Sequence, residues 1–219
     1  MSTPPRSNDN LGFLSVIDHP RYGLVGGYLV LNTTGRPLEF QCTTPIKPNR
    51  AQEVLYGETL KPFLYGEQIG QTLLSRAKTE TAYVLTDVEP VLAVQDFVNN
   101  PLIFVFKPNQ TTEVAEPTQT PHISKELNES LKSFGIDRPR LYQDESVEPT
   151  LCLKSIPGLD IGRWKEIKIG KRTVAVPYRQ PVDWDHFVDG IQHVSRTIDI
   201  VEPFTRIRLA IEEAHRGAA

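Results

Sequence analysis

Between residues 11 and 107 the apolar positions alternate between strand and helix spacing in the order strand, strand, strand, helix, helix, strand, helix, strand. "GFLSVID" is a short strand, and "GYLVLN" with "PLEFQCT" forms a hairpin around "NTTG". Asn32 suits the first position of a type I turn, and Gly35 the left-handed position that makes a bulge after it. The register that follows sets Val30 opposite Leu38 and Tyr28 opposite Phe40, so these four share a core face. Leu29 and Leu31 then occupy the other face, as in a strand covered on both sides. In this register Gly26 and Gly27 lie opposite Cys42 and Gln41.

Three glycines, Gly23, Gly26 and Gly27, crowd the start of that second strand. A phosphate-cradling loop needs a helix N-terminus after its glycines, and a strand follows these. The cluster therefore predicts a bulge or a close approach of another element.

"NRAQEVLYGETLKPFLYGEQIGQTLLSRAK" reads as two helices. Asn49 caps the first and Gly57 closes it; Thr59 caps the second, with Pro62 tolerated in its first turn. Leu60, Phe63, Leu64, Ile69, Leu73 and Leu74 spread around the second helix, which predicts burial on more than one side. The two "LYGE" copies, nine residues apart, fall half a turn out of phase and form no structural repeat. "TDVE" at 86–89 spells a capping box for a helix over "VEPVLAVQDF", and "PLIFVFK" is strongly β in character.

These patterns give an α/β fold. A mixed, largely antiparallel five-stranded sheet with packed helices precedes a smaller α+β region. Residues 1–10 read as a disordered tail, 11–107 as an N-terminal α/β domain and 108–122, rich in Pro and Thr, as a linker. Residues 123–219 form a C-terminal region with a leading amphipathic helix, a basic hairpin and two terminal helices.

Net charge changes the picture only locally. The whole chain has a formal net charge of −3. Within 163–179, Arg163, Lys165, Lys168, Lys171, Arg172 and Arg179 stand against the single acid Glu166. Gly170-Lys171 suits a type II′ turn between two strands, and Trp164 and Tyr178 bracket the ribbon. Such a ribbon can place cations on phosphates and rings on bases. It can equally dock on an acidic protein surface or protect exposed sheet edges.

Other chemistry is sparse. No G-x-S-x-G, H-E-x-x-H or Walker A motif occurs. Two cysteines, Cys42 and Cys152, are too few for a disulfide framework or a four-thiolate zinc site, and read as reduced, buried thiols. His186, Asp189 and His193 share one helix face, opposite Trp184, Phe187, Ile191 and Val194; a solvated face accounts for them, so no metal and no cofactor is expected. Glu39, beside Leu29, is either a shielded acid or an ion-pair partner for Arg36 or Arg50. The start of the chain has no signal-peptide core and no apolar run could cross a bilayer, so the expected location is cytoplasmic.

The leading functional expectation is a non-enzymatic binding or assembly module with a protein partner. The alternative is nucleic-acid binding through the hairpin 163–179, with Arg163, Trp164, Lys165, Lys168, Lys171, Arg172, Tyr178 and Arg179 as the contact residues. A further alternative is an enzyme of unrecognised type, built around Glu39 or the His186/His193 helix.

Overall fold

The computed structural model describes residues 10–106, 164–177 and 184–216. Seven strands run through it: β1 (Leu11–His19), β2 (Gly23–Leu31), β3 (Pro37–Cys42), β4 (Tyr83–Thr86), β5 (Leu102–Val105), β6 (Trp164–Ile169) and β7 (Arg172–Pro177). They form one sheet in the order β3-β2-β1-β4-β5-β7-β6. β1, β4 and β5 are mutually parallel, and the remaining pairs are antiparallel. The class is α/β, as the pattern predicts. The sheet has seven strands instead of five because the basic hairpin pairs with β5, Phe104 opposite Ala175, and extends it. Its two-residue turn is Gly170-Lys171, between the paired Ile169 and Arg172, with Gly170 at a φ of 59°.

Both faces of the inner strands are covered. Leu11, Phe13, Leu29, Leu85, Ile103 and Val174 point to one side. There they meet α4 (Trp184–Thr197) through Phe187, Ile191 and Val194, and α5 (Glu202–Arg216) through Phe204, Ile207 and Ile211. Leu14, Val16, Tyr28, Val30, Val84 and Phe104 point to the other side. Their cover is a helical run between 60 and 76 and a 3-10 helix over Glu89–Phe97. Apolar strands with no clear alternation are what burial on both faces requires.

The first helix, α1 (Arg50–Tyr56), is capped reciprocally by Asn49 and Gln52 and closed by Gly57 at a φ of 50°, as expected. The second is one run of three parts: α2 (Leu60–Pro62), a π-helical stretch Phe63–Gly70, and α3 (Gln71–Arg76). Thr59 turns its hydroxyl back to the Tyr56 carbonyl instead of capping the run. The capping box at 86–89 does not form. Thr86 is a fully buried residue of β4, and Pro90 removes an amide from the first turn, so Glu89–Phe97 winds as a 3-10 helix without a side-chain cap.

The β2–β3 register differs from expectation by one residue. The turn forms as predicted: the Gly35 amide donates to the Asn32 carbonyl at 2.9 Å, and Gly35 has a φ of 77°. However, Leu31 pairs with Pro37 while Val30 pairs with Glu39, which leaves Leu38 as the extra residue of a bulge. Pro37 brings no N–H to the ladder, so the irregularity falls beside it. A one-residue shift turns every side chain over. Leu38 and Phe40 are accordingly exposed on the sheet edge, at 50% and 39%.

The glycine cluster is a close approach from both sides. A Cβ on Gly26 would overlap Ile69 and lie 2.9 Å from Leu73, on the α3 side. A Cβ on Gly27 would lie 2.5 Å from Ile207 and 3.0 Å from Ile211, on the α5 side. Gly27, not Gly26, lies opposite Cys42.

Gly26→Val and Gly27→Val should each destabilise the fold by at least the ~1–3 kcal/mol typical of overpacking. Gly190, inside α4, has open space around it. Gly190→Ala should stabilise by about 0.5–1 kcal/mol through helix propensity. Urea unfolding of the three variants checks both signs.

Candidate nucleic-acid interface

Parallel strands present their carboxyl ends at one rim of a sheet, where α/β folds hold ligands. In this chain the rim is formed by the ends of β1, β4 and β5. β7 runs antiparallel to β5, and the Phe106 amide donates to the Thr173 carbonyl at 3.1 Å. The Gly170-Lys171 turn therefore projects beyond the same rim.

At its centre lies Asp87, just past the end of β4. Its side chain is 2% exposed. The Ser15 hydroxyl donates to one carboxylate oxygen at 2.7 Å, and the Arg208 guanidinium donates to the other at 2.5 Å. Alternation along β1 places Ser15 on the α5 side, and α5 carries Arg208 over the strand end. With one bond to each carboxylate oxygen, Asp87 anchors α5 to the strand end. Among the described residues, no three or more His, Cys, Asp or Glu side chains are grouped to hold a metal ion.

At one side of the rim stands the hairpin. Lys168 and Lys171 are exposed, while Lys165 and Arg172 are half-buried. Arg172 grips Asp199 with two nitrogens, at 2.6 Å and 3.0 Å, and so ties β7 to the α4–α5 connection. That hydrogen bonding pushes Arg172 up and holds Asp199 below the usual carboxylate range. Burial raises Glu166, against the pull of Lys168. Trp164 is in β6, but its side chain lies outside the described residues, as do Arg163, Tyr178 and Arg179. Of the eight expected contact residues, the structure places two, Lys168 and Lys171, as exposed cations beyond the rim.

At the other side is a cavity that no sequence spacing announces. It measures about 240 Å³ and lies between the β1–β2 connection and the last turn of α5. Ile17, Val25 and Ile211 supply apolar walls; His19, Tyr22, Glu212, His215 and Arg216 supply the rest. His19 and Tyr22 stack with centroids 4.5 Å apart, and Tyr22 and His215 lie 5.6 Å apart at a tilt of 37°. The Arg21 guanidinium sits 5.4 Å from the Tyr22 centroid. Backbone bonds fix which nitrogen of each neutral imidazole carries hydrogen. Nδ1 of His19 accepts from the amides of Arg21 and Tyr22, so Nε2 carries the proton. Nδ1 of His215 bonds the Ile211 carbonyl at 2.8 Å and must donate, which leaves Nε2 as an acceptor. Residues 19 and 215 are too far apart in sequence for any motif to join them; a His three residues before a Tyr was the only local signal.

Two other expectations are corrected. Glu39 is not an acid of raised pKa, and it pairs with neither Arg36 nor Arg50. Burial alone would raise it, but the Lys78 and Thr79 amides, with the side chains of Thr79 and Gln41, outweigh that and hold it at about 2. The two amides approach its oxygens at 3.0 Å and 2.7 Å, so Glu39 latches the edge strand to the segment before β4. Cys42 is exposed on β3, not buried; Cys152 lies outside the described residues. His193 and Asp189 are exposed on α4, and the side chain of His186 lies outside the described residues.

No family model matches the sequence, and no curated protein matches it. Among solved structures, human ENDOV is similar over 96% of this chain and 86% of its own, at 15% identity and a TM-score of 0.47. Ciona intestinalis endonuclease V, in complex with a 23mer DNA containing an inosine followed by a ribo-adenosine, is similar over 92% of this chain and 86% of its own, at 14% identity and a TM-score of 0.45. At such identities the likeness is one of fold. It does not bear out the expectation of a non-enzymatic binding or assembly module, because the similar chains named here are endonuclease V proteins. No helix among the described residues is long and apolar enough to cross a membrane.

Glu39 stabilises the fold through a depressed pKa. Its contribution is present above the ordinary value of 4.5 and is lost as pH falls towards about 2. Glu39→Gln should lower the neutral-pH Tm by roughly 2–4 °C, the shift for about 1 kcal/mol in a chain of this size. It should also flatten the acid limb of Tm against pH. Arg208→Ala strips the nearly buried Asp87 of a charged partner. Because Arg208 is itself 40% exposed, the expected loss is about 1–3 kcal/mol by urea unfolding, below that for a fully buried pair.

Proposed function

We propose that this chain binds nucleic acid along the carboxyl rim of its sheet, with the β6–β7 hairpin as the phosphate-contacting element. One observation carries the reading. The exposed Lys168 and Lys171 extend past the same rim at which Arg21, Tyr22, His215 and Arg216 gather, although these residues come from three distant parts of the sequence.

The physics is that of a polyanion on a patterned surface. Exposed lysines replace condensed counterions on the phosphates, and the released ions drive binding at low salt. Arg172 is held by Asp199 and Arg208 by Asp87, so these two keep the scaffold in place. Lys168 and Lys171 are left to face a ligand. Overall charge offers little attraction at −3, which makes the local arrangement decisive.

Lys168→Glu with Lys171→Glu tests the proposal. The double variant should bind a fluorescein-labelled oligonucleotide at least tenfold more weakly in 50 mM salt. Its log–log salt slope should shrink by about 1.4–1.8, two contacts at ~0.7–0.9 each. Tm should stay within about 1 °C, because both side chains are exposed surface positions. Unchanged affinity, or no binding by the unaltered chain at low salt, overturns the reading.

A further inference from the structure

We infer that the cavity beside Tyr22 takes an unpaired nucleobase, so that the chain prefers single-stranded nucleic acid to duplex. The inference rests on the nucleic-acid reading above and adds a substrate class to it.

Size is the first argument. At about 240 Å³ the cavity falls below the usual range of roughly 300–1,000 Å³ for drug-sized ligands. It suits one ring system and no more. The walls are the second. Ile17, Val25 and Ile211 give an apolar lining, and the Tyr22 ring supplies an aromatic surface. Tyr22 and His215 do not close on each other as His19 and Tyr22 do: their centroids are 5.6 Å apart against 4.5 Å, and the rings are tilted by 37° against 25°. Both separations are ordinary ring contacts with no room for a third ring between them; a base would rest on the part of the Tyr22 ring that lines the cavity.

Polarity is the third argument. His19 offers a donor at Nε2, and the neutral His215 ring, with its Nδ1 proton on the Ile211 carbonyl, offers an acceptor at Nε2. Base edges carry donors and acceptors side by side, so the two imidazoles match them in kind. The Glu212 carboxylate adds an acceptor, and Arg216, paired at 3.3 Å with Glu213 on the open surface, adds a donor. Arg21, near the Tyr22 ring, supplies positive charge for the flanking phosphate. In a duplex the base faces are stacked and the pairing edges are used, so only an unpaired base can enter such a cavity.

Fluorescence anisotropy with a labelled single strand of roughly 12 nucleotides, within common site sizes, and with the matching duplex, tests the idea on the full chain. Tyr22→Ala should weaken the single strand by roughly ten- to a hundredfold, the range for loss of one base stack. The duplex affinity should not change, and Tyr22→Phe, which keeps the ring, should bind like the unaltered chain. Circular dichroism melts show whether each variant is folded. Equal weakening of strand and duplex overturns the inference, as does indifference of the single strand to Tyr22→Ala in a folded variant. Binding of adenosine monophosphate without any binding of the strand also overturns it, in favour of a free nucleotide. If neither oligonucleotide binds at low salt, the rim reading itself fails, which is a different result from a Tyr22 with no role.

Discussion

Two adjacent glycines set the spacing of the three layers. β2 is the strand on which helices from both sides bear down, and Gly26 and Gly27 face opposite ways along it. Ile69 and Leu73 occupy the space of one missing side chain, and Ile207 and Ile211 occupy the other. Were either position larger, a helix layer would move outward or the sheet would buckle, because a packed interior does not compress. The seat of α5 depends on this contact. So does everything that α5 carries to the rim: Arg208 over Asp87, and three to eight residues further on, Ile211, Glu212, His215 and Arg216 against the β1–β2 connection.

From that seat the rim acquires its division of labour. Its buried centre is neutral by pairing, with Asp87 held by Ser15 and Arg208. Its flanks are open, one with flexible lysines and the other with rings. The same separation of structural from exposed charge holds within the hairpin, where Arg172 is clamped by Asp199 while Lys168 and Lys171 stand exposed. Structural ion pairs thus set the geometry, and exposed cations are left at its edges.

Much of this fold is legible in the sequence because local rules govern it. Asn49 and Gly57 bound a helix, Gly35 shapes a turn and Gly170 another, each through backbone preferences that act within a few residues. The close approach at Gly26 and Gly27 is legible for the same reason: glycines in a strand need an external cause. The failures are equally physical. A bulge beside Pro37 shifted β3 by one residue, and with it the faces of Leu38, Glu39 and Phe40. The capping box at Thr86 lost to the sheet, which claims that residue for β4. The pairing of β7 with β5 and the meeting of His19 with His215 depend on contacts across 70 to nearly 200 residues, where no periodicity links the partners. Of the site, the basic hairpin was visible as a run of charge; the aromatic cavity was not.

The place of β7 beside β5 also imposes an order in time. During synthesis the chain emerges with β1 to β5 complete by residue 105. Residues 172–177, which cover the β5 edge, and 204–211, which fill the space over Gly27, come tens of residues later. At roughly 5–20 residues per second, the interval between Val105 and Ile211 lasts on the order of 5–20 seconds. Throughout it the β5 edge and one whole apolar sheet face lack their native cover. Exposed apolar surface and an unpaired strand edge are the features that favour aggregation, and they persist until the long-range contacts close.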